Sequence, residues 1–442
     1  MTIAVPAWAQ KPAAPKTKSD TVAPAAPSRQ TLIDVLIATY NTNPTIEAQR
    51  ASLRGSNEEL PQALSNWRPT ITINESISAA EILSNPVIGP TTRSDSVDQS
   101  ASVNFSQPLF RGFRTLNQTE RARNNIAAAR AVLHGVEQNI LLAAVEAYTA
   151  IVRDTAVVEL NRNNERVLER QFDAATNRFE VGELTRTDVA QAQSRLASAT
   201  AGRIAAEGAL VSSKAVFEEV VGFPAGDLAH AGGPSHLLPE TKDEARSAAR
   251  RDNPTVAAAR YQEASARDNI DVIKGELLPS LTLNGELRDS RQFSGPDSSS
   301  TVGSVTANLR VPLYQSGSVY SRVRQAKQIA SQRLLELAGA EREALRLATE
   351  NWEALQTARA RIVSFTSEVS TQEIALEGVT QESRVGARTV LDELDAEQEL
   401  LDAQVNLVRA ERDEVVAAYR LLAAVGLLTV DHLELPVGTG KR

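Results

Sequence analysis

The chain predicts an α+β fold made by tandem duplication, with long coiled-coil helices and two pairs of amphipathic strands. Three observations carry this prediction. Apolar residues keep heptad spacing through two proline-free stretches, about 114–178 and 319–383. Four short segments alternate apolar and polar side chains strictly. The two halves also align: Asn43-Pro44-Thr45-Ile46 recurs as Asn253-Pro254-Thr255-Val256 (210 positions on), and Pro108-Leu109-Phe110 as Pro312-Leu313-Tyr314 (204 on). So long a period is no solenoid. One unit is used twice, 31–240 and 241–430, with a longer loop in the first copy between residues 76 and 108.

At the N-terminus, Ala7-Trp8-Ala9 fits a signal-peptidase site, but the apolar run before it is short and lacks a basic leader. Residues 1–9 therefore read as the remnant of a signal peptide, and 10–30, rich in Lys, Pro, Ala and Ser, as disordered. Each repeat then opens with a helix, roughly 31–66 and 241–277.

The strands follow. Over about 70–79, Ile71, Ile73 and Ile77 face one side, and Thr72, Asn74 and Ser76 the other. The strand at about 100–109 sets Ala101, Val103 and Phe105 against Ser102, Asn104 and Ser106. The second copy does the same over about 280–289 and 302–312, with Leu281, Leu283, Leu287, Val305, Ala307 and Leu309 on its apolar side. A half-buried soluble sheet and a membrane barrel share this pattern. Strand lengths near the ~9–11 residues of a membrane span favour the barrel. So do the small polar residues of the second face and the long polar loops at 80–100 and 289–301. Four strands cannot close a barrel, and an open edge is not tolerated in lipid. Strands of this kind that span a membrane require an oligomer.

Next come the long helices, about 114–178 with its return at 187–220, and 319–383 with its return at 391–424. Ile126, Leu133, Ile140 and Ala147 fall seven apart in the first; Leu334, Ala348, Leu355 and Ile362 share one sevenfold series in the second. Ala344, Ala358, Phe365 and Val379 fall on the series three residues on; Glu341 interrupts the first series and Asn351 the second. At 1.5 Å per residue each long helix measures roughly 100 Å. A tail, 431–442, closes the chain.

Two matching tips join each long helix to its return. Val181-Gly182 and Val385-Gly386 end a helix, the glycine supplying the left-handed conformation of a helix stop. Thr185 then precedes Asp188 by three residues, and Thr389 precedes Asp392 by three, a capping-box spacing. The second tip adds Asp395 one turn beyond Asp392, where the first has Gln191. On spacing alone these aspartates serve the helix dipole or form a working carboxylate pair.

Composition narrows the function classes. Aromatics are 4% of the chain, and Ala, Gln, Glu, Arg and Leu dominate its long stretches, as in coiled coils. A net charge of −8 argues against a nucleic-acid partner. With no cysteine there is no disulfide, thiolate site or lipid-modified Cys. No apolar run reaches the ~18 residues of a transmembrane helix. No phosphate-binding Gly loop, GxSxG or HExxH is present, so no enzyme, cofactor or catalytic residue is expected. His230 and His236 share a loop and give only a weak hint of a metal site.

The duplication, the Asn-Pro-Thr lead-ins, Gln107-Pro108-Leu109-Phe110 and above all Val385-Gly386-Ala387-Arg388-Thr389, followed by Asp392 and Leu394-Asp395-Ala396, resemble the TolC family of trimeric outer-membrane efflux and type I secretion channels. The likeness covers nearly all of residues 31–430. It implies a homotrimer whose protomers each give four strands to one 12-stranded β-barrel, with their helices forming an α-helical barrel in the periplasm. Segments around 31–60, 223–245 and 425–442 would belt it. By the same resemblance Asp392 and Asp395 form the pore constriction, and Arg388 and Asp188 a gate latch between inner and outer hairpins. Val181, Gly182, Thr185, Val385, Gly386 and Thr389 mark the tips where a periplasmic adaptor docks. Energy would come from an inner-membrane pump of the ABC or RND type, and outer-membrane lipid would surround the barrel. The duct would serve type I protein secretion or multidrug efflux. One departure stands out: a gate tyrosine of the family is Ser383 here. Six carboxylates around one axis would repel one another, raising their pKa values and attracting cations. The competing reading is a soluble periplasmic coiled-coil scaffold or adaptor, in which Ile71, Ile73, Leu281 and Leu283 pack on the chain's own helices.

Overall fold

The computed structural model describes residues 30–293 and 298–436. The signal-peptide remnant, residues 10–29, the Gly295-Pro296 turn and the last six residues of the tail lie outside the described residues. In order the elements are α1 (Leu32–Thr42), α2 (Pro44–Asn57), α3 (Glu59–Ser65), β1 (Thr70–Ser84), β2 (Thr92–Arg111), α4 (Arg114–Glu180) and α5 (Arg186–Val221). The second half repeats the order with α6 (Lys242–Asp252), α7 (Pro254–Lys274), β3 (Ser280–Gln292), β4 (Ser298–Arg310), α8 (Ser318–Arg384) and α9 (Val390–Ala424).

The single helices expected over 31–66 and 241–277 are each broken at the Asn-Pro step. A residue before proline is driven out of the helical region. Asn43 sits at φ −66°, ψ 123° and Asn253 at φ −63°, ψ 125°. Both asparagines do two jobs. The Asn43 side-chain oxygen accepts from the Thr45 N–H at 2.9 Å, and its amide donates to the Val220 carbonyl at 2.9 Å. Asn253 accepts from Thr255 N–H at 2.9 Å and donates to the Ala424 carbonyl at 3.0 Å. Each one caps a short helix and ties it to the last turn of a return helix. Gly426 sharpens the second joint: at φ +83° it packs so close that a Cβ would lie 2.3 Å from the Asp252 carbonyl oxygen.

The four strands make one antiparallel sheet in the order β1-β2-β3-β4. Their register aligns the apolar faces across all four. Ile71, Phe105, Gly285 and Val305 form one row, and Ile73, Val103, Leu287 and Gly303 the next. Thr72, Asn104, Glu286 and Ser304 form a row on the opposite face. Ile73 is 77% exposed and Val305 78%, so the apolar rows do not pack on the chain's own helices as the scaffold reading requires. The first hairpin outgrows its expected bounds, because β1 runs to Ser84 and β2 begins at Thr92. In that extension Ile82 and Leu83 fall on opposite faces and residues 92–96 carry no apolar side chain, so no apolar face announces it; it is held by strand pairing such as Glu81 with Asp95, and by the Arg93–Glu81 ion pair.

The helical rods match their heptads closely. Leu133, Ala147, Ala348 and Leu355 are buried, while Leu334 stays half exposed. Of the two seam-breakers, Glu341 pairs with Arg250 at 3.3 Å and the Asn351 amide donates to the Leu347 carbonyl at 2.8 Å. Midway along the rods, α1, residues 223–238 and residues 427–435 wrap over α4 and α9, sharing a core with Tyr148, Phe217 and Leu422. The buried Tyr148 hydroxyl lies within hydrogen-bond distance of the carbonyls of both Gln30 and Ala229, its one proton shared between them, and so pins the belt's two entering segments. Burial pushes its pKa up to about 12. No helix among the described residues is long and apolar enough to cross a membrane.

Replacing Asn253 by Ala removes a cap and leaves the Ala424 carbonyl without its partner. The expected loss is about 2 kcal/mol. It is read as a lowered thermal midpoint of detergent-purified protein, with Asn43→Ala giving a loss of similar size.

Candidate functional site

The two hairpin tips are built by the same local rules. At the end of α4, the Glu183 N–H bonds to the Arg178 carbonyl and Gly182 N–H to that of Phe179, both at 2.9 Å, with Gly182 at φ +83°. At the end of α8, Ala387 N–H bonds to the Glu382 carbonyl at 2.9 Å and Gly386 N–H to that of Ser383 at 3.1 Å, with Gly386 at φ +77°. These six-to-one closures spend the carbonyls a helix end leaves over. The next helix starts at once. The Asp188 carboxylate accepts from the Thr185 N–H at 2.9 Å and hydroxyl at 2.7 Å, and Asp392 accepts from Thr389 at 2.9 and 2.8 Å. Val181 and Val385 stand out from the tips, 73% and 80% exposed.

The predicted site residues divide. Thr185, Asp188, Thr389 and Asp392 form the two capping boxes. Arg388 and Asp188 are not brought together within the protomer. Arg388 reaches only six residues back, to Glu382 at 3.0 Å, and the Asp188 carboxylate is occupied by its cap. The contact that does join the two hairpins is one the sequence reading missed: Arg195 on α5 pairs with Asp395 on α9. Beside it the Gln171 amide donates to Glu393 at 3.5 Å. Beneath lies an apolar seam in which Leu394, 1% exposed, packs with Leu168, Ala175, Ala192 and Ala199. Arg195 and Asp395 are 200 positions apart, and nothing in the local pattern of either marks the other. Ser383 is buried, 7% exposed, at the last turn of α8. Among the described residues no group of three or more His, Asp or Glu is arranged to hold a metal, His230 and His236 included.

Charge at the tips responds to pH in two opposite senses. Bonds from the Thr185 hydroxyl and N–H hold Asp188 below the usual carboxylate range, and the Thr389 N–H and hydroxyl do so for Asp392. A lowered native pKa gives stability that is full above the ordinary range and lost only as pH falls through the lowered value. Glu397, between the hairpins, is shifted the other way. Burial raises it first and Glu393 adds to this, while Arg170 opposes. Its neutral form suits the fold, so acidification through the raised value strengthens the contact.

The comparisons with known proteins agree with one another. A model of the outer membrane efflux protein family matches residues 38–222 and again 245–427. The outer membrane efflux protein BepC of Brucella suis is 32% identical over 414 residues, covering 93% of this chain and 89% of its own. The outer membrane protein TolC of Vibrio cholerae is 28% identical over 339 residues, covering 75% and 77%. The crystal structure of VceC, an outer membrane protein of Vibrio cholerae, superposes with a TM-score of 0.77 at 19% identity, over 89% of this chain and 96% of that one.

Lowering the pH from neutral toward the ordinary carboxylate range is expected to slow amide exchange in the first turns of α9, after correction for intrinsic rates. Glu397→Gln is expected to show the slow exchange already at neutral pH and no further change on acidification.

Proposed function

The chain belongs to the outer membrane efflux protein family, and on that premise we propose that its hairpin tips form the periplasmic gate of the exit duct. The protein is an outer-membrane channel of the kind that serves tripartite export systems. The observation that carries the gate reading is the polarity of the molecule. A sheet whose apolar face is largely exposed lies at one end, and two capped tips, bridged by the Arg195–Asp395 ion pair over a small apolar seam, lie at the far end of helices 67 residues long.

Closure follows from the sheet. Its outer strands, β1 and β4, have free edges in the protomer. In hydrocarbon such edges must pair, so β1 of one copy meets β4 of the next, and three copies make a 12-stranded barrel. The exposed apolar residues on the flanks of the rods, Ile204 and Val211 on α5 and Leu335, Val363 and Ile374 on α8, supply faces for the neighbouring copies. The halves 31–240 and 241–430 then act as one unit used twice.

In the closed trimer Asp392 and Asp395 of α9 line the constriction. Arg195 neutralises part of each Asp395 charge and holds the inner hairpin against the outer one. Arg388 and Asp188 serve as a latch only in the assembled ring, because within one protomer each has another partner. A periplasmic adaptor docks at Val181, Gly182, Val385 and Gly386 and parts the hairpins, while the inner-membrane pump supplies the energy. The names of relatives, an efflux protein among them, fit such a passive conduit. The soluble scaffold is disfavoured by the exposure of Ile71 and Ile73.

Planar-bilayer recordings test this reading. Wild type is expected to give small, cation-selective openings blocked by a trivalent cation. Asp392→Ala/Asp395→Ala loses selectivity and block. Arg195→Ala keeps cation selectivity and conducts several-fold more, since it unties the hairpins and frees three carboxylates. Absence of any conductance from detergent-purified wild type overturns the duct reading. Identical behaviour of the aspartate variant returns the two residues to helix-start charges.

A further inference from the structure

The belt carries an arginine cleft that the export function does not use, and the internal repeat carries it twice. Arg50 on α2 has a side chain only 9% exposed. Its guanidinium lies 4.4 Å from the centre of the Tyr40 ring. Nη1 donates to Glu47 at 2.9 Å and to the Tyr40 carbonyl at 3.4 Å. Nη2 makes no hydrogen bond, and its nearest carboxylate oxygen, on Glu137, is 3.6 Å away. Arg50 lines a cleft of about 550 Å³ between α2, α4 and residues 429–431, together with Arg54, Arg130 and His134. Neither Arg54 nor Arg130 has an ion pair or hydrogen bond from its side chain among the described residues. His134 stands 3.3 Å from Glu137.

The second half repeats the key positions. Arg260 follows Arg50 by 210 residues and Glu341 follows Glu137 by 204, the offsets of the duplication itself. Arg260 donates to the carbonyl of Arg250, ten residues upstream, at 3.5 Å, just as Arg50 does to Tyr40. It lines a cleft of about 520 Å³ with Arg246, Arg250 and Arg251. There the charges are largely answered, Arg250 by Glu341 at 3.3 Å and Arg251 by Asp252 at 2.7 Å.

A purely structural arginine at this joint needs one N–H for the upstream carbonyl, and both halves have that bond. The first cleft holds more: a buried Nη2 without a hydrogen bond and two further guanidiniums without carboxylates. Guanidinium forks match carboxylate and phosphate oxygens in shape and charge. We propose that the first cleft is a binding site for a polyanion with carboxylate or phosphate groups, gripped by Arg50, Arg54 and Arg130. The carbonyl-bonded arginine is the inherited part of the site, and the unpaired arginines are what the first repeat adds. Glu47 and Glu137 answer Arg50 and His134, so the charge left for a ligand is that of Arg54 and Arg130. The same oxyanion chemistry is offered by a free small polyanion and by an acidic stretch of polypeptide.

The test is isothermal titration of detergent-purified full-length protein with citrate, with pyrophosphate and with a hexaglutamate peptide. Arg54 and Arg130 are exposed, so Arg54→Gln/Arg130→Gln is expected to keep the wild-type thermal midpoint and elution volume. Binding is expected in wild type, weakened about tenfold or more in the double variant and by added salt, and unchanged in the distant Arg346→Gln. Citrate or pyrophosphate binding that is lost in the double variant supports the site and assigns it to a small polyanion. Binding of hexaglutamate alone, lost in the same way, supports it and assigns it to an acidic polypeptide. No binding of any probe, or equal binding by wild type and double variant, overturns the proposal. Channel conductance is read independently of all these outcomes.

Discussion

A peptide group in hydrocarbon has no water to bond with, and the architecture of this protein answers to that fact. The sheet satisfies its own interior but leaves β1 and β4 with open edges. Closing them demands further copies of the chain, and the helical rods must then run side by side around one axis. The junction between sheet and rods is accordingly tight. Gly112, at φ +61°, and Gly275 come so near that a Cβ on either would lie 2.3–2.4 Å from the other's carbonyl oxygen. Only glycine at both places lets the strand–helix turn and the end of α7 cross without a side chain between them.

Along the rods the interaction that matters is close approach of backbones. Buried seam residues are mostly alanine, such as Ala144, Ala344, Ala348 and Ala410. Alanine gives up little burial energy per residue but favours the helix and costs no side-chain entropy. Larger residues gather where the belt must hold, around Tyr148 and Phe217, and again at the tips around Leu394. Rigidity is thus concentrated at mid-height, and the tips keep a smaller apolar seam flanked by half-exposed polar contacts. Surface ion pairs of that sort contribute little each, so the two hairpins are held together less firmly at the tips than at the belt.

Legibility in the sequence followed periodicity. The spans 114–178 and 391–424 were readable because heptads repeat many times, and the structure gives α4 as Arg114–Glu180 and α9 as Val390–Ala424. Capping boxes and glycine stops were readable because their geometry is local. Two kinds of feature were not. The start of β2 at Thr92 lies in a polar stretch where no apolar face alternates, and the helix breaks at Pro44 and Pro254 were hidden within otherwise helical composition. Near the hairpin tips, Arg195 could not be matched with Asp395 because pairing across two hairpins leaves no trace in either segment. Within the protomer Arg388 is held by Glu382, nearer in the chain, and not by Asp188.

The pairing of Arg195 with Asp395 has a consequence for symmetry. In the repeat, Glu399 occupies the place of Arg195 and Gln191 the place of Asp395. A ring of six identical hairpins would have to carry both charges on every hairpin, setting each arginine near its own aspartate as well as its neighbour's. Fusing two copies into one gene product lets the cation sit on one hairpin and the anion on the next. Alternate positions around the axis become chemically distinct, and the two kinds of hairpin are free to diverge in sequence.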